Sequence, residues 1–210
     1  MTGIRILLAA LLALAVPGAI AQEPAEAWSA LAKGGHVVLI RHGNAPGAMD
    51  PPGAHAADCK TQRNLDETGR AQSRALGEAF RSRGVRVARV VSSPWCRTLE
   101  TAQLMAVGTV ETSTSLLSDR GGRNPERRTQ LKEMIATWRG PGTLVLVTHG
   151  WAIEALFGFI PASAETLVVK PRAASNSGGD LVGRIAPPQA RPSSRSIEDF
   201  MRPVVHREST

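Results

Sequence analysis

Three short apolar runs set most of what this chain can fold into. His36 to Ile40, Val87 to Val91 and Thr143 to Val147 are rich in β-branched residues and, apart from Arg89, almost free of charge. Runs of this length without polar alternation suit strands buried on both faces of a parallel sheet. The segments around and between them carry helical spacing instead. Thr68 to Arg83 places Ala71, Ala75, Leu76, Ala79 and Phe80 on one face and stops before Gly84, a residue suited to follow a helix C-cap. Pro94 to Met105 reads as a helix with Pro94 in its first turn, and Asn124-Pro125 opens another reaching about Trp138 before Gly140-Pro141-Gly142. Ala25 to Lys33 and Ala152 to Phe159 read as shorter helices. Alternating strands and helices joined by short links predict an α/β fold, a three-layer α/β/α sandwich with a mostly parallel central sheet and helices on both faces. Thr166 to Val169 and Leu181 to Ile185, either side of Asn176-Ser177-Gly178-Gly179, add a C-terminal β-hairpin.

The ends of the chain read differently. Arg5, the uninterrupted apolar run Ile6 to Val16 and Ala19-Ile20-Ala21 have the order of a cleaved export signal over residues 1–21. The run is too short for a bilayer span, which needs about 20 residues. From Pro187 to Thr210, prolines alternate with Ser and Arg and no apolar period survives, so 187–210 is expected to be a disordered tail. The expected folded unit is thus 22–186, placed in the periplasm or secreted, with no membrane span once the signal is removed.

Hydrophobic residues at 42% supply a core, while 20 Gly and 14 Pro exclude a coiled coil. The formal charge of +7 admits nucleic acid, anionic lipid or a phosphorylated substrate as partner. Nucleic acid is disfavoured, because stacking aromatics are scarce: Tyr is 0 and aromatics are 4%. The signal and the tail each carry one net positive charge, so the folded unit is a mildly cationic one.

Ligands in open α/β sheets bind beyond the carboxyl ends of the strands. Here those ends carry Arg41-His42-Gly43, Ser92-Ser93-Pro94-Trp95-Cys96-Arg97 and Thr148-His149-Gly150, so two histidines and two arginines are expected to share one crevice. A lone strand-end histidine is ordinarily a hydrogen-bonded structural residue; two of them with two arginines are better explained by a bound anion.

These segments carry a family resemblance. Leu39-Ile40-Arg41-His42-Gly43, then Ser92-Ser93-Pro94 with Arg97-Thr98 and Thr101-Ala102, then Val147-Thr148-His149-Gly150 resemble the histidine phosphatase superfamily, also called phosphoglycerate mutase-like. Leu65, Gly69, Gln72 and Leu76-Gly77 resemble the family's first helix, and the match spans most of residues 36–160 in the expected order. The resemblance implies a phosphatase acting through a phosphohistidine on His42, with Arg41 and Arg97 holding phosphoryl oxygens and His149 adding a donor. That chemistry suits the residue types. A neutral imidazole is a nucleophile near its ordinary pKa of about 6.5, and guanidinium pairs bidentately with phosphate. Gly43 is expected to let backbone and phosphate approach.

The family needs no metal or other cofactor, and His55, Asp58 and Cys59 are read as accidental neighbours in a Pro- and Gly-rich loop. Asp119, within Leu117-Ser118-Asp119-Arg120, is the candidate general acid, where mutase-type relatives place a Glu; the alternatives are a solvated loop residue or a partner of Arg120, with no such acid needed, as in some small members of the family. Residues 44–63 are expected to form the substrate loop, with Arg63 either touching a second anionic group or solvated, and Trp95 either walling the crevice or packing. Cys59 and Cys96, an even count in an exported chain, admit a disulfide between that loop and the arginine helix; free thiols are the alternative. The expected substrate is a small phosphorylated molecule, with sugar phosphates and lipopolysaccharide core phosphates as first candidates. The competing classes are a non-catalytic binder of phosphorylated sugars or lipopolysaccharide, and a phosphoglycerate-type mutase.

Overall fold

A computed structural model describes residues 23–118, 120 and 123–187. The expected signal segment 1–21, nearly all of the expected tail, and Asp119 lie outside the described residues. The elements run α1 Glu23–Lys33, β1 Val37–Arg41, α2 Glu67–Ser82, β2 Val87–Ser92, α3 Cys96–Met105, β3 Val110–Thr112, α4 Pro125–Ala136, β4 Thr143–Thr148, α5 Gly150–Phe157, β5 Thr166–Pro171 and β6 Gly179–Ile185.

One six-stranded sheet has the order β3-β2-β4-β1-β5-β6. The first four are mutually parallel, and the β5–β6 hairpin adds two antiparallel strands against β1. The predicted mixed α/β architecture and the C-terminal hairpin are both present. β1 and β4 lie at the centre, which is why their apolar residues run without alternation. One face of the sheet, with Val38, Ile40, Val145 and Val147, packs against α1, α2 and α3 through Leu31, Leu76, Phe80 and Met105. The opposite face, with Leu39, Leu144 and Leu146, packs against α4 and α5 through Leu131, Ile135 and Ile153. Among the described residues no helix is long and apolar enough to cross a membrane.

Two local expectations change. Pro94 is not in the first turn of α3 but precedes the N-cap residue Trp95. The backbone N–H of Ser93 still donates to Val147 O, so the chain stays extended one step beyond β2 before it turns. β3 was not visible as a strand; its three residues pair along Val90–Ser92 at the sheet edge. α2 has the cap its sequence provides, with Asp66 Oδ1 accepting from Gly69 N, and Gly84 follows the helix at φ +64°.

Candidate functional site

The carboxyl ends of β1, β2 and β4 open into one pocket of about 400 Å³. Arg41 is the last residue of β1 and His42 follows it; Arg97 sits in the first turn of α3; His149 is the N-cap residue of α5 after β4. All four line the pocket. His42, Arg97 and His149 are almost wholly buried.

His42 is set up to present one nitrogen. Its Nδ1 lies 2.8 Å from Gly43 O, and a carbonyl only accepts, so Nδ1 carries the proton and Nε2 the lone pair. Arg97 Nε donates toward that Nε2 at 3.3 Å. Burial first, and then the Arg97, Arg41 and Arg63 guanidiniums, push the His42 pKa down to about 3, while the bond to Gly43 O opposes the shift. His42 is therefore a neutral imidazole at neutral pH, the form with a free electron pair.

His149 stands edge-on to His42, ring centroids 5.5 Å apart. Arg97 Nη2 lies 3.4 Å from its Nδ1 and Ser93 Oγ 2.9 Å from its Nε2. Arginine only donates, so Nδ1 accepts and the Nε2 hydrogen goes to Ser93. Burial and the neighbouring His42 hold its pKa well below the ordinary histidine value. Ser93, part of the sequence motif but given no role there, fixes this ring.

Arg41 donates from Nη1 to Pro161 O at 2.6 Å, and its Nε has no hydrogen-bond partner among the described residues. A buried guanidinium nitrogen without a partner is costly unless a ligand completes it. Burial lowers the Arg41 and Arg97 pKa values from the ordinary arginine value, with Asp50 opposing the shift at Arg97.

The loop of residues 44–63 reaches this group through a residue the sequence did not single out. Asp50 accepts from Arg97 Nη1 at 3.0 Å and Nη2 at 3.1 Å, and from the Arg63 backbone N–H at 2.9 Å. Arg63 is not solvated: its side chain is 17% exposed, and its Nη1 donates to Ala45 O at 2.6 Å and also to Gly47 O. It staples the loop and lines the pocket. Trp95 also lines the pocket, with the Arg97 guanidinium carbon 4.9 Å from its ring centroid.

Cys59 and Cys96 are joined by a disulfide that ties the loop to the first residue of α3. Beside it, Gln62 Oε1 accepts from Cys96 N at 3.0 Å, capping a helix whose own N-cap side chain makes no bond. With Cys59 so engaged, the His55, Asp58 and Cys59 trio is unavailable as a metal site; among the described residues no cluster of His, Cys, Asp and Glu suits a metal ion.

Gly43 has a different reason from the one its position invited. It is not among the lining residues; a Cβ there would come 2.5 Å from Gly69 O. Gly69 in turn leaves no room on its side, since its own Cβ would lie 2.2 Å from Asn44 O. The glycine pair lets the start of α2 press on the strand end that carries His42, and Thr101 Oγ1 accepts from Gly43 N at 3.0 Å.

Fold and site together define a class: an α/β protein with a paired-histidine, arginine-walled anion pocket at the carboxyl edge of its sheet. Residues 37–119 match the sequence model of the histidine phosphatase superfamily (branch 1). No curated protein matches the chain in sequence. Among solved structures, it is similar to a phosphoserine phosphatase from Entamoeba histolytica in complex with 3-phosphoglyceric acid, at 16% identity and a TM-score of 0.53, over 72% of this chain and 96% of that one. A mycobacterial glucosyl-3-phosphoglycerate phosphatase gives 20% identity and a TM-score of 0.51, over 72% and 99% of the two chains. A protein of Agrobacterium tumefaciens proposed to be the phosphohistidine phosphatase SixA gives 20% and 0.52, over 72% and 97%. Likeness at this identity shows the fold.

Proposed function

We propose that this protein is an exported phosphatase that hydrolyses phosphomonoesters through a phosphohistidine on His42, with no metal ion. One observation carries the reading: the buried, neutral imidazole of His42 has its Nδ1 hydrogen engaged by Gly43 O and its Nε2 facing Arg97 inside a pocket walled by arginines. In the first step Nε2 bonds to phosphorus and the ester P–O bond breaks, the leaving alkoxide taking a proton. In the second, water attacks phosphorus, the P–N bond breaks and inorganic phosphate leaves. Arg41 and Arg97 supply fixed positive charge to the phosphoryl oxygens, the role that dominates phosphoryl transfer. His149, neutral and hydrogen-bonded to Arg97 Nη2, holds that guanidinium beside the phosphoryl group. Asp119 is assigned as proton donor to the leaving group. Export to the periplasm or medium is supported by Arg5, the apolar run Ile6 to Val16 and the Ala19-Ile20-Ala21 site. Sugar phosphates and lipopolysaccharide core phosphates are the first substrates to screen.

The test is release of 4-nitrophenol from its phosphate by purified mature protein, beside His42→Ala. The wild type should turn over and form an acid-labile, base-stable phosphoenzyme, with both signals absent in His42→Ala. Equal, negligible release by the two proteins, with inorganic phosphate still bound, would replace the phosphatase by a non-catalytic anion binder.

A further inference from the structure

Asp50 is the one carboxylate among the described residues lining the pocket. Both its oxygens are committed to Arg97, the same guanidinium whose Nε reaches the His42 nucleophilic nitrogen, so its negative charge is fixed one side chain away from the reacting atom. Its place is held from three sides: by Arg97, by the Arg63 backbone N–H, and by the loop that the Cys59–Cys96 disulfide anchors. An orienting partner for Arg97 need not sit in the pocket wall; Asp50 does, at 21% side-chain exposure.

Among the described lining residues, Arg41, Arg63 and Arg97 stand against Asp50, with both histidines neutral, which leaves an excess of two positive charges. A phosphomonoester above its second pKa of about 6 carries about two negative charges. Such a substrate neutralises the pocket. A substrate with a further carboxylate or phosphate leaves one negative charge unbalanced in a desolvated site, where like-charge placement discriminates strongly. Met49, Trp95, Trp151 and Ile160 add apolar and aromatic surface to the lining, which suits an organic group on the ester.

We propose that Asp50 is a specificity residue that sets the charge of the pocket, so that the accepted substrates are phosphomonoesters whose phosphoryl group is their only anion. The proposal rests on the phosphatase reading above. Two negative charges about 8 Å apart at an effective dielectric constant near 30 repel enough for about a tenfold preference.

The experiment compares kcat/KM for 4-carbamoylphenyl phosphate and 4-carboxyphenyl phosphate at pH 8, esters of matched size that differ by one negative charge. The wild type should favour the carbamoyl ester about tenfold, Asp50→Asn should bring the ratio near unity, and Asp50→Glu should restore the preference. A ratio unchanged in Asp50→Asn, with both substrates slowed alike, would reduce Asp50 to an orienting partner of Arg97 and overturn the proposal. A second measurement needs no variant: inhibition constants of phenylphosphonate and 4-carboxyphenylphosphonate, read by calorimetric binding to wild-type protein. Equal binding of the two also overturns it. Absence of turnover of either ester, with the phosphonates still discriminated, would sink the phosphatase reading and leave the charge selectivity standing.

Discussion

Acidification should destabilise this protein through His42 in a specific window. In the folded chain its pKa is about 3; in the unfolded chain it returns to the ordinary value of about 6.5. Between these values the unfolded state binds a proton that the folded state refuses, so stability falls as pH drops through 6.5 and stops falling near 3. Above 6.5 both states hold a neutral ring and the residue contributes no slope. Between pH 7 and 4.5 the linkage amounts to about 2.5 kcal/mol from His42, a large fraction of an ordinary domain's stability. His149, also held neutral by burial, adds in the same direction. Urea denaturation of wild type and His42→Gln at the two pH values isolates the share of His42. The variant should lose about 2.5 kcal/mol less on acidification than the wild type, whatever its absolute stability. Equal losses in the two proteins, or an imidazole nitrogen resonance of His42 titrating near pH 6.5, would refute the idea that burial and three guanidiniums hold the ring neutral.

Two further outcomes concern the frame of the site. Replacing both Cys59 and Cys96 by Ser opens a loop of sequence separation 37 and should cost about 4 kcal/mol by chain entropy, read as a lower thermal midpoint that reducing agent no longer shifts. Gly69→Ala should cost about 2 kcal/mol or more and lower activity with it, because the new methyl falls on the backbone of Asn44 beside the nucleophile's strand; an unchanged midpoint would show that α2 can move away freely.

The legible parts of this molecule were those that local pattern encodes. β1 and β4 are central strands and their apolar runs say so, and α2 displays its apolar face and its Gly84 stop along its own stretch of sequence. Arg41, His42, Arg97 and His149 meet because each follows or flanks a strand end, and the rule for open α/β sheets brings such ends together. β3 was invisible: three residues hold no period, and Val110-Glu111-Thr112 is a strand by virtue of its neighbour. Asp50 was invisible for another reason. It is a single Asp in a Pro- and Gly-rich loop, and its meaning depends on Arg97 and Arg63, which no spacing along the chain announces. Gly43 was singled out for close approach of a phosphate, whereas the structure gives it a packing reason: Gly69 presses on it across the interface, a contact no spacing along the chain announces.

The central position of β1 has a consequence for how the molecule comes into being. Its residues pair on one side with Leu144–Thr148 and on the other with Thr166–Val169, both from the far half of the chain. Beyond its end, Ala164 N donates to the carbonyls of Arg41 and His42. The nucleophile is made early in synthesis but has no seat until the last strands arrive, and loop closure of that span is slow. A chain stopped before residue 164 would hold every arginine and histidine of the pocket and still lack Ala164, whose N–H holds the carbonyls at the end of β1, and the strand β5 beside it. Reactivity in this protein is therefore expected to emerge at the end of folding, together with global cooperativity, and not in any folded fragment.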